Sequence, residues 1–279
     1  MVTRARVMLW GRTVGAVIWN EQLGRAEFQF DPGFTGSGLD VAPLMMPLSK
    51  ARAGAEVFSF NGLGRETFKG LPGLLADSLP DRFGDELLNA WLRGQKRDPG
   101  SANPVERLCF LGHRAMGALE FEPSHAELEA SSEALHVDEL VRVARNVLEK
   151  KQAFRTNRKK GEQEALMDII RVGTSAGGAR AKAIVAYNDS TGEVRSGQID
   201  GLQGFTYCLI KFDGVTTDAL RDPKSFGRIE YAYHLMAQEC GIHMMPCTLL
   251  EENGRAHFLT RRFDRIVDEK TGTLQRLHM

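Results

Sequence analysis

One short stretch constrains the fold more than any other part of this sequence. From position 172 it reads Val172-Gly173-Thr174-Ser175-Ala176-Gly177-Gly178-Ala179-Arg180-Ala181-Lys182-Ala183-Ile184-Val185, a glycine-rich loop running into an apolar strand-like segment that continues to Tyr187. Glycines let backbone N–H groups approach an anion closely, and the neighbouring hydroxyls with Arg180 or Lys182 add donors and positive charge. The loop is not a Walker A sequence, because no Gly-Lys-Ser or Gly-Lys-Thr occurs, and it lacks the Gly-x-Gly-x-x-Gly spacing of dinucleotide sites. Two readings stay open from spacing alone: a polyphosphate loop, or a structural turn rich in glycine.

The residues after the loop narrow the choice. A second strand-like run, Phe205-Thr206-Tyr207-Cys208-Leu209-Ile210, ends on Lys211, whose stem can lie along a sheet while its ammonium emerges beside whatever the loop covers. Next comes an apolar pattern at helical spacing, Ile229, Ala232, Leu235 and Met236, opened by Pro223 and stopped by Gly241; it carries Glu230. A hairpin comes after it, with Thr248-Leu249-Leu250 and His257-Phe258-Leu259-Thr260 flanking Asn253-Gly254, a pair suited to a tight type I′ turn. A lone strand lysine is an ordinary edge charge and a lone helix glutamate is commoner still. The order loop, strand lysine, helix glutamate, hairpin is that of a protein-kinase small lobe, where the glutamate orients the lysine toward nucleotide phosphates.

The N-terminal part reads differently. Arg6-Val7-Met8-Leu9-Trp10, Thr13 to Trp19 and Ala26-Glu27-Phe28-Gln29-Phe30 predict a small antiparallel meander. The segment from Phe68 to Gly84 contains two prolines and three glycines, so it predicts a packed turn, leading into a helix marked by Leu87, Leu88, Trp91 and Leu92. A further helix is predicted from about Asp138, with Leu140, Ala144, Val147 and Leu148 as its apolar stripe. The basic stretch Lys150 to Lys160 reads as a solvated helix end or linker, with a phosphate-contacting patch as the alternative. The domain boundary is expected among Pro123, Ser124, Ser131 and Ser132, dividing the chain into 1–125 and 126–279.

Composition excludes several classes. Lys plus Arg and Asp plus Glu both total 36 in the 279 residues, so no net charge draws the chain to nucleic acid or anionic lipid. With 42% hydrophobic and 26% charged residues it is a globular protein. No run approaches a membrane span and the first residues do not resemble a signal peptide, so a cytoplasmic location is expected. The four cysteines contain no CxxC pair; Cys240, His243 and Cys247 offer three groups where structural zinc wants four, which favours reduced, part-buried thiols.

Taken together, the loop from Ser175 to Lys182, Leu209-Ile210-Lys211-Phe212, Ile229-Glu230-Tyr231-Ala232-Tyr233, Thr260-Arg261-Arg262-Phe263-Asp264-Arg265 and Leu277-His278-Met279 resemble the HipA toxin kinase family. Gly70 to Asp81 is similar to that family's N-terminal domain. The resemblance implies an α+β chain: a small β-rich N-terminal domain with helices, then a kinase-like small lobe with an antiparallel sheet and a helix. It implies a serine/threonine kinase of a toxin–antitoxin module, using ATP and magnesium to phosphorylate a protein such as an aminoacyl-tRNA synthetase. A DNA-binding antitoxin would be its partner, with no direct nucleic-acid contact of its own.

By the same resemblance Gly177, Gly178 and Lys211 grip nucleotide phosphates, Glu230 orients the lysine, and Arg261, Arg262 and Phe263 form the hinge beside adenine. Read without the family, those three are a strand end with solvated charges and one core aromatic. Ser175 matches a regulatory, autophosphorylated serine; phosphate there adds roughly two negative charges to a loop suited to phosphate. The family's catalytic aspartate, its neighbouring asparagine and its metal-binding aspartate lie beyond the position of His278-Met279. The expectation is therefore a chain with nucleotide-gripping elements and no catalytic or metal-binding residue, inactive by itself: a fragment of a longer kinase, a natural truncation completed by a separate C-terminal lobe, or a binding or regulatory protein.

Overall fold

A computed structural model describes residues 2–53, 56–125, 128, 133–148, 160–173, 180–215, 225–268 and 273–279. The chain forms two compact units, one built from residues 1–80, 97–127 and 276–279 and the other from 81–96 and 128–275.

In the first unit β1 (Arg4–Leu9), β2 (Arg12–Asn20) and β3 (Arg25–Phe30) form the expected meander, and β4 (Leu119–Glu122) pairs with β1 to give the antiparallel order β3-β2-β1-β4. Side chains alternate across a strand, so β1 buries Ala5, Val7 and Leu9 and turns Arg4 and Arg6 outward. Four one- to two-turn helices come after β3: α1 (Pro32–Thr35), α2 (Leu48–Ala53), α3 (Arg65–Phe68) and α4 (Gly73–Ala76). The segment read as a packed turn holds the last of these and the end of α3, broken between them where Lys69 and Gly70 take φ of 52° and 82°.

The core of this unit gathers Val7, Leu9, Val17, Phe28 and Phe121 from the sheet with Leu71, Leu75, Val105 and Leu108 from the helical segments.

The second unit begins with α5 (Arg82–Gly94), which buries Phe83, Leu87, Leu88, Trp91 and Leu92. After α6 (Pro104–Leu111) of the first unit come α7 (Val137–Leu148) and α8 (Lys160–Val172), and α5, α7 and α8 pack on one another. Beside them runs a five-stranded antiparallel sheet in the order β6-β5-β7-β9-β8. Its strands are β5 (Lys182–Tyr187), β6 (Val194–Ser196), β7 (Thr206–Lys211), β8 (Cys247–Glu252) and β9 (Arg255–Arg261). The helix α9 (Phe226–Glu239) packs on β8 and β9. Two short strands, β10 (Arg265–Val267) and β11 (Leu274–Arg276), pair before the chain returns to the first unit.

The fold is α+β, with the small-lobe arrangement of sheet and helix expected from the sequence. The division by contacts is not the single cut between 125 and 126: α5 belongs with the later residues and 276–279 with the earlier ones. The reason is that an amphipathic helix joins whichever surface completes its apolar face, and for α5 that surface is α7 and α8. α8 itself begins at the end of the basic stretch read as a solvated end or linker; 150–159 of that stretch lie outside the described residues.

Candidate nucleotide-binding site

β7 ends on Lys211 because its apolar run alternates against β5 on one side and β9 on the other. From that end Lys211 Nζ reaches Glu230 Oε2 on α9 at 2.5 Å, forming the predicted lysine–glutamate pair. The other oxygen of the same carboxylate accepts from Arg180 Nη1 at 2.9 Å. Arg180 is seated by stacking over the Phe226 ring, 3.8 Å from its centroid. Phe226 and Glu230 are four residues apart on one helix face, so one turn of α9 holds Arg180 by ring and by charge.

The trio of Arg180, Lys211 and Glu230 carries two positive charges against one negative. Both cations are partly exposed, and Arg180 comes directly after residues 174–179. Ser175, Gly177 and Gly178, assigned to the phosphate loop, lie outside the described residues.

Lys182 has a different fate from the one its sequence suggested. It sits directly opposite Lys211 on the neighbouring strand, a like-charge juxtaposition that is unfavourable unless each charge is neutralised. Lys182 is only 2% exposed and forms an ion pair with Asp81, whose side chain is 3% exposed. Asp81 Oδ1 also caps α5 by accepting from Gly84 N at 2.8 Å. Of the two cations offered as phosphate donors, only Arg180 stays near the surface, and it is engaged by Glu230.

At the far end of β7 the segment Arg261–Phe263 runs past Tyr207, whose carbonyl accepts from Arg262 N at 2.9 Å. Four residues of strand separate this point from Lys211, roughly 13 Å. The Arg262 guanidinium is buried and grips Asp264 through two bonds, Nε to Oδ1 at 2.8 Å and Nη2 to Oδ2 at 2.6 Å, with Arg265 on the same carboxylate. Arg262 is therefore a buried ion-pair member, not the solvated charge read at a strand end. Arg261 and the ring of Phe263 are exposed, so Phe263 is no core aromatic.

Cys109 and Cys208 are buried thiols, each pushed up to about 12 by loss of hydration. Cys240 is exposed, and among the described residues no three His, Cys, Asp or Glu side chains gather as a metal site.

Two family models match the chain: the HipA N-terminal domain over residues 5–122 and the HipA-like C-terminal domain over residues 174–279. Together they span most of its length. The chain belongs to the HipA-type family. A solved HipA structure, from the complex of Shewanella oneidensis MR-1 toxin–antitoxin proteins HipA and HipB with operator DNA, superposes with a TM-score of 0.57 at 14% identity. The alignment covers 98% of this chain and 54% of that one, so this chain spans about half the length of its structural relative. No curated protein matches the sequence. Asp81, which pairs with Lys182 and caps α5, was not singled out by sequence reasoning. For Asp81 the available signal was an Asp directly before a predicted helix, the N-cap pattern.

Proposed function

We propose that this chain carries the nucleotide-gripping part of a HipA-type serine/threonine protein kinase of a toxin–antitoxin module. The observation that carries the reading is the Lys211–Glu230 pair beside the end of a glycine-rich loop. In this reading Gly177 and Gly178 present backbone N–H groups to the phosphates of ATP. Lys211, held by Glu230, neutralises α- and β-phosphate charge, and the adenine lies toward Phe263 and the backbone of Arg261 and Arg262. A nucleotide lying along β7 would join the two ends of the site. Magnesium would neutralise the remaining phosphate charge when bound.

Transfer to a hydroxyl also needs a residue to position that hydroxyl. The resemblance puts that residue and the metal ligands C-terminal to Met279. The partners in this reading are a DNA-binding antitoxin and a protein substrate of the aminoacyl-tRNA synthetase kind, and the working location is the cytoplasm.

A second reading, a binding or regulatory protein without turnover, draws on the outer face of α9. Ile229, Tyr233 and Met236 are exposed there at helical spacing, and Ile242 and Met244 come soon after. A contiguous apolar face of this kind suits coverage by another protein surface, such as a helical kinase lobe. Calorimetry tests the nucleotide site, and reconstitution with a helical lobe decides between the readings. On the kinase reading ATP with magnesium binds feebly to the chain and more weakly still to Lys211→Ala; binding that ignores the substitution removes the site. Supplying the helical lobe as a separate chain should then restore transfer, with phosphate appearing on Ser175. A stable complex without any transfer would favour the second reading.

A further inference from the structure

The distance between Lys211 and Glu230 is set by how α9 sits on the sheet, and two residues outside the site control that seating. The first is Asp213, two residues beyond Lys211. Its buried carboxylate accepts from Ser225 N through both oxygens, at 3.0 and 3.2 Å, and from Ala256 N at 3.4 Å. One side chain thus ties the residue preceding α9 to the start of β9. Asp213 is itself pinned to β9: its N–H donates to His257 Nδ1 at 2.9 Å and its carbonyl accepts from Arg255 Nη1 at 2.7 Å. A carboxylate at the start of a helix is also favoured by the partial positive charge there.

The second is Gly227. A Cβ built at this position would stand 1.8 Å from the Ala256 carbonyl oxygen and 3.0 Å from its carbon. Any other residue would force α9 off β9 by at least about 1 Å, because close-packed atoms do not interpenetrate. Glu230 lies three residues further along, on the same side of the helix. A retreat of that size lengthens the 2.5 Å contact to Lys211 beyond good hydrogen-bond geometry.

We propose that Asp213 and Gly227 are positioning residues: together they hold α9 against β9 at the separation at which Glu230 meets Lys211. The importance of that pair for nucleotide rests on the kinase reading; the positioning itself does not.

The test uses limited acetylation of the whole chain by a succinimidyl ester without nucleotide, with mass spectrometry reporting each lysine. Glu230→Gln is expected to raise labelling of Lys211 roughly two- to fivefold, the range for a partly exposed ion pair. Gly227→Ala and Asp213→Asn should each reproduce most of that rise while buried Lys182 stays unlabelled, which shows that the unit is folded. Neither should add to it in the Glu230→Gln background, because residues acting through one contact are not additive. A merely structural role would instead expose Lys182, or add its effect to that of Glu230→Gln. Wild-type labelling of Lys211 in both folded variants would overturn the proposal, as would a Glu230→Gln protein that labels like wild type. Should Gly227→Ala unfold, the near-isosteric Asp213→Asn decides alone. The kinase reading is separated by one further arm: ATP with magnesium should protect Lys211 in wild type, and failure to protect counts against that reading only.

Discussion

Two lysines facing each other across β5 and β7 show how position overrides residue type. The sequence offers Lys182 and Lys211 as equivalent cations near a glycine-rich loop, yet one is sealed against Asp81 and the other emerges beside Glu230. Only an acid brought from a distant segment distinguishes them, and sequence spacing does not show that Asp81 reaches a strand so far along the chain. Removing one partner from a buried pair leaves an uncompensated charge, at a cost of about 3–5 kcal/mol. Asp81→Ala is therefore expected to lower the denaturant midpoint of the second unit strongly, and the double change with Lys182→Met to recover much of the loss. His257 supplies a pH dependence. Loss of hydration lowers its pKa from the ordinary 6.5 to about 4, the nearby Asp213 opposing and Arg255 assisting. The unfolded chain then takes up a proton before the folded one as pH falls. His257 stability is complete above about pH 6.5 and is lost progressively down to about pH 4, on the order of 3 kcal/mol in all. Urea titrations between these limits should show this slope, and His257→Asn, which keeps an acceptor for Asp213 N, should remove it.

Elements with a strong local signal were legible. The meander, α5, α7, α9 and the hairpin of β8 and β9 all come from period or turn chemistry. At the hairpin Asn253 and Gly254 take φ of 49° and 70°, the left-handed pair that a type I′ turn requires. Gly254→Ala should cost about 1–2 kcal/mol, read as a lowered unfolding midpoint without a change in slope. α6 was missed although Asn103 before Pro104, with Glu106 soon after, spells a capped start; Asn103 Oδ1 accepts from Glu106 N at 2.9 Å. β4 carries only four residues, and β6 three, too few for a period to register. α8 was obscured by the lysines and arginines that precede it, which read as solvated chain before its apolar face begins.

At the scale of the two units together, the kinase reading predicts that a polypeptide of residues 1–279, tested by itself, transfers no phosphate from radiolabelled ATP with magnesium to a synthetase substrate. Lysine-dependent transfer, lost in Lys211→Ala, would require a base among the residues already present. The sequence alone settled the kind of parts: strand runs, amphipathic helices, a glycine-rich loop, a strand lysine and a helix glutamate, with the family resemblance they carry in combination. These are legible because period, turn chemistry and residue order are local properties of the chain. Tertiary packing chose which cation is buried and which emerges, committed Arg262 to Asp264, completed the core of α5 with α7 and α8, and seated α9 through Asp213 and Gly227. Lys182 with Asp81, α5 with α7 and α8, and α9 with β9 each join groups far apart in sequence, while Arg262 and Asp264 are close neighbours whose pairing follows from their joint burial; a charge taken from water must find its partner wherever the fold brings one.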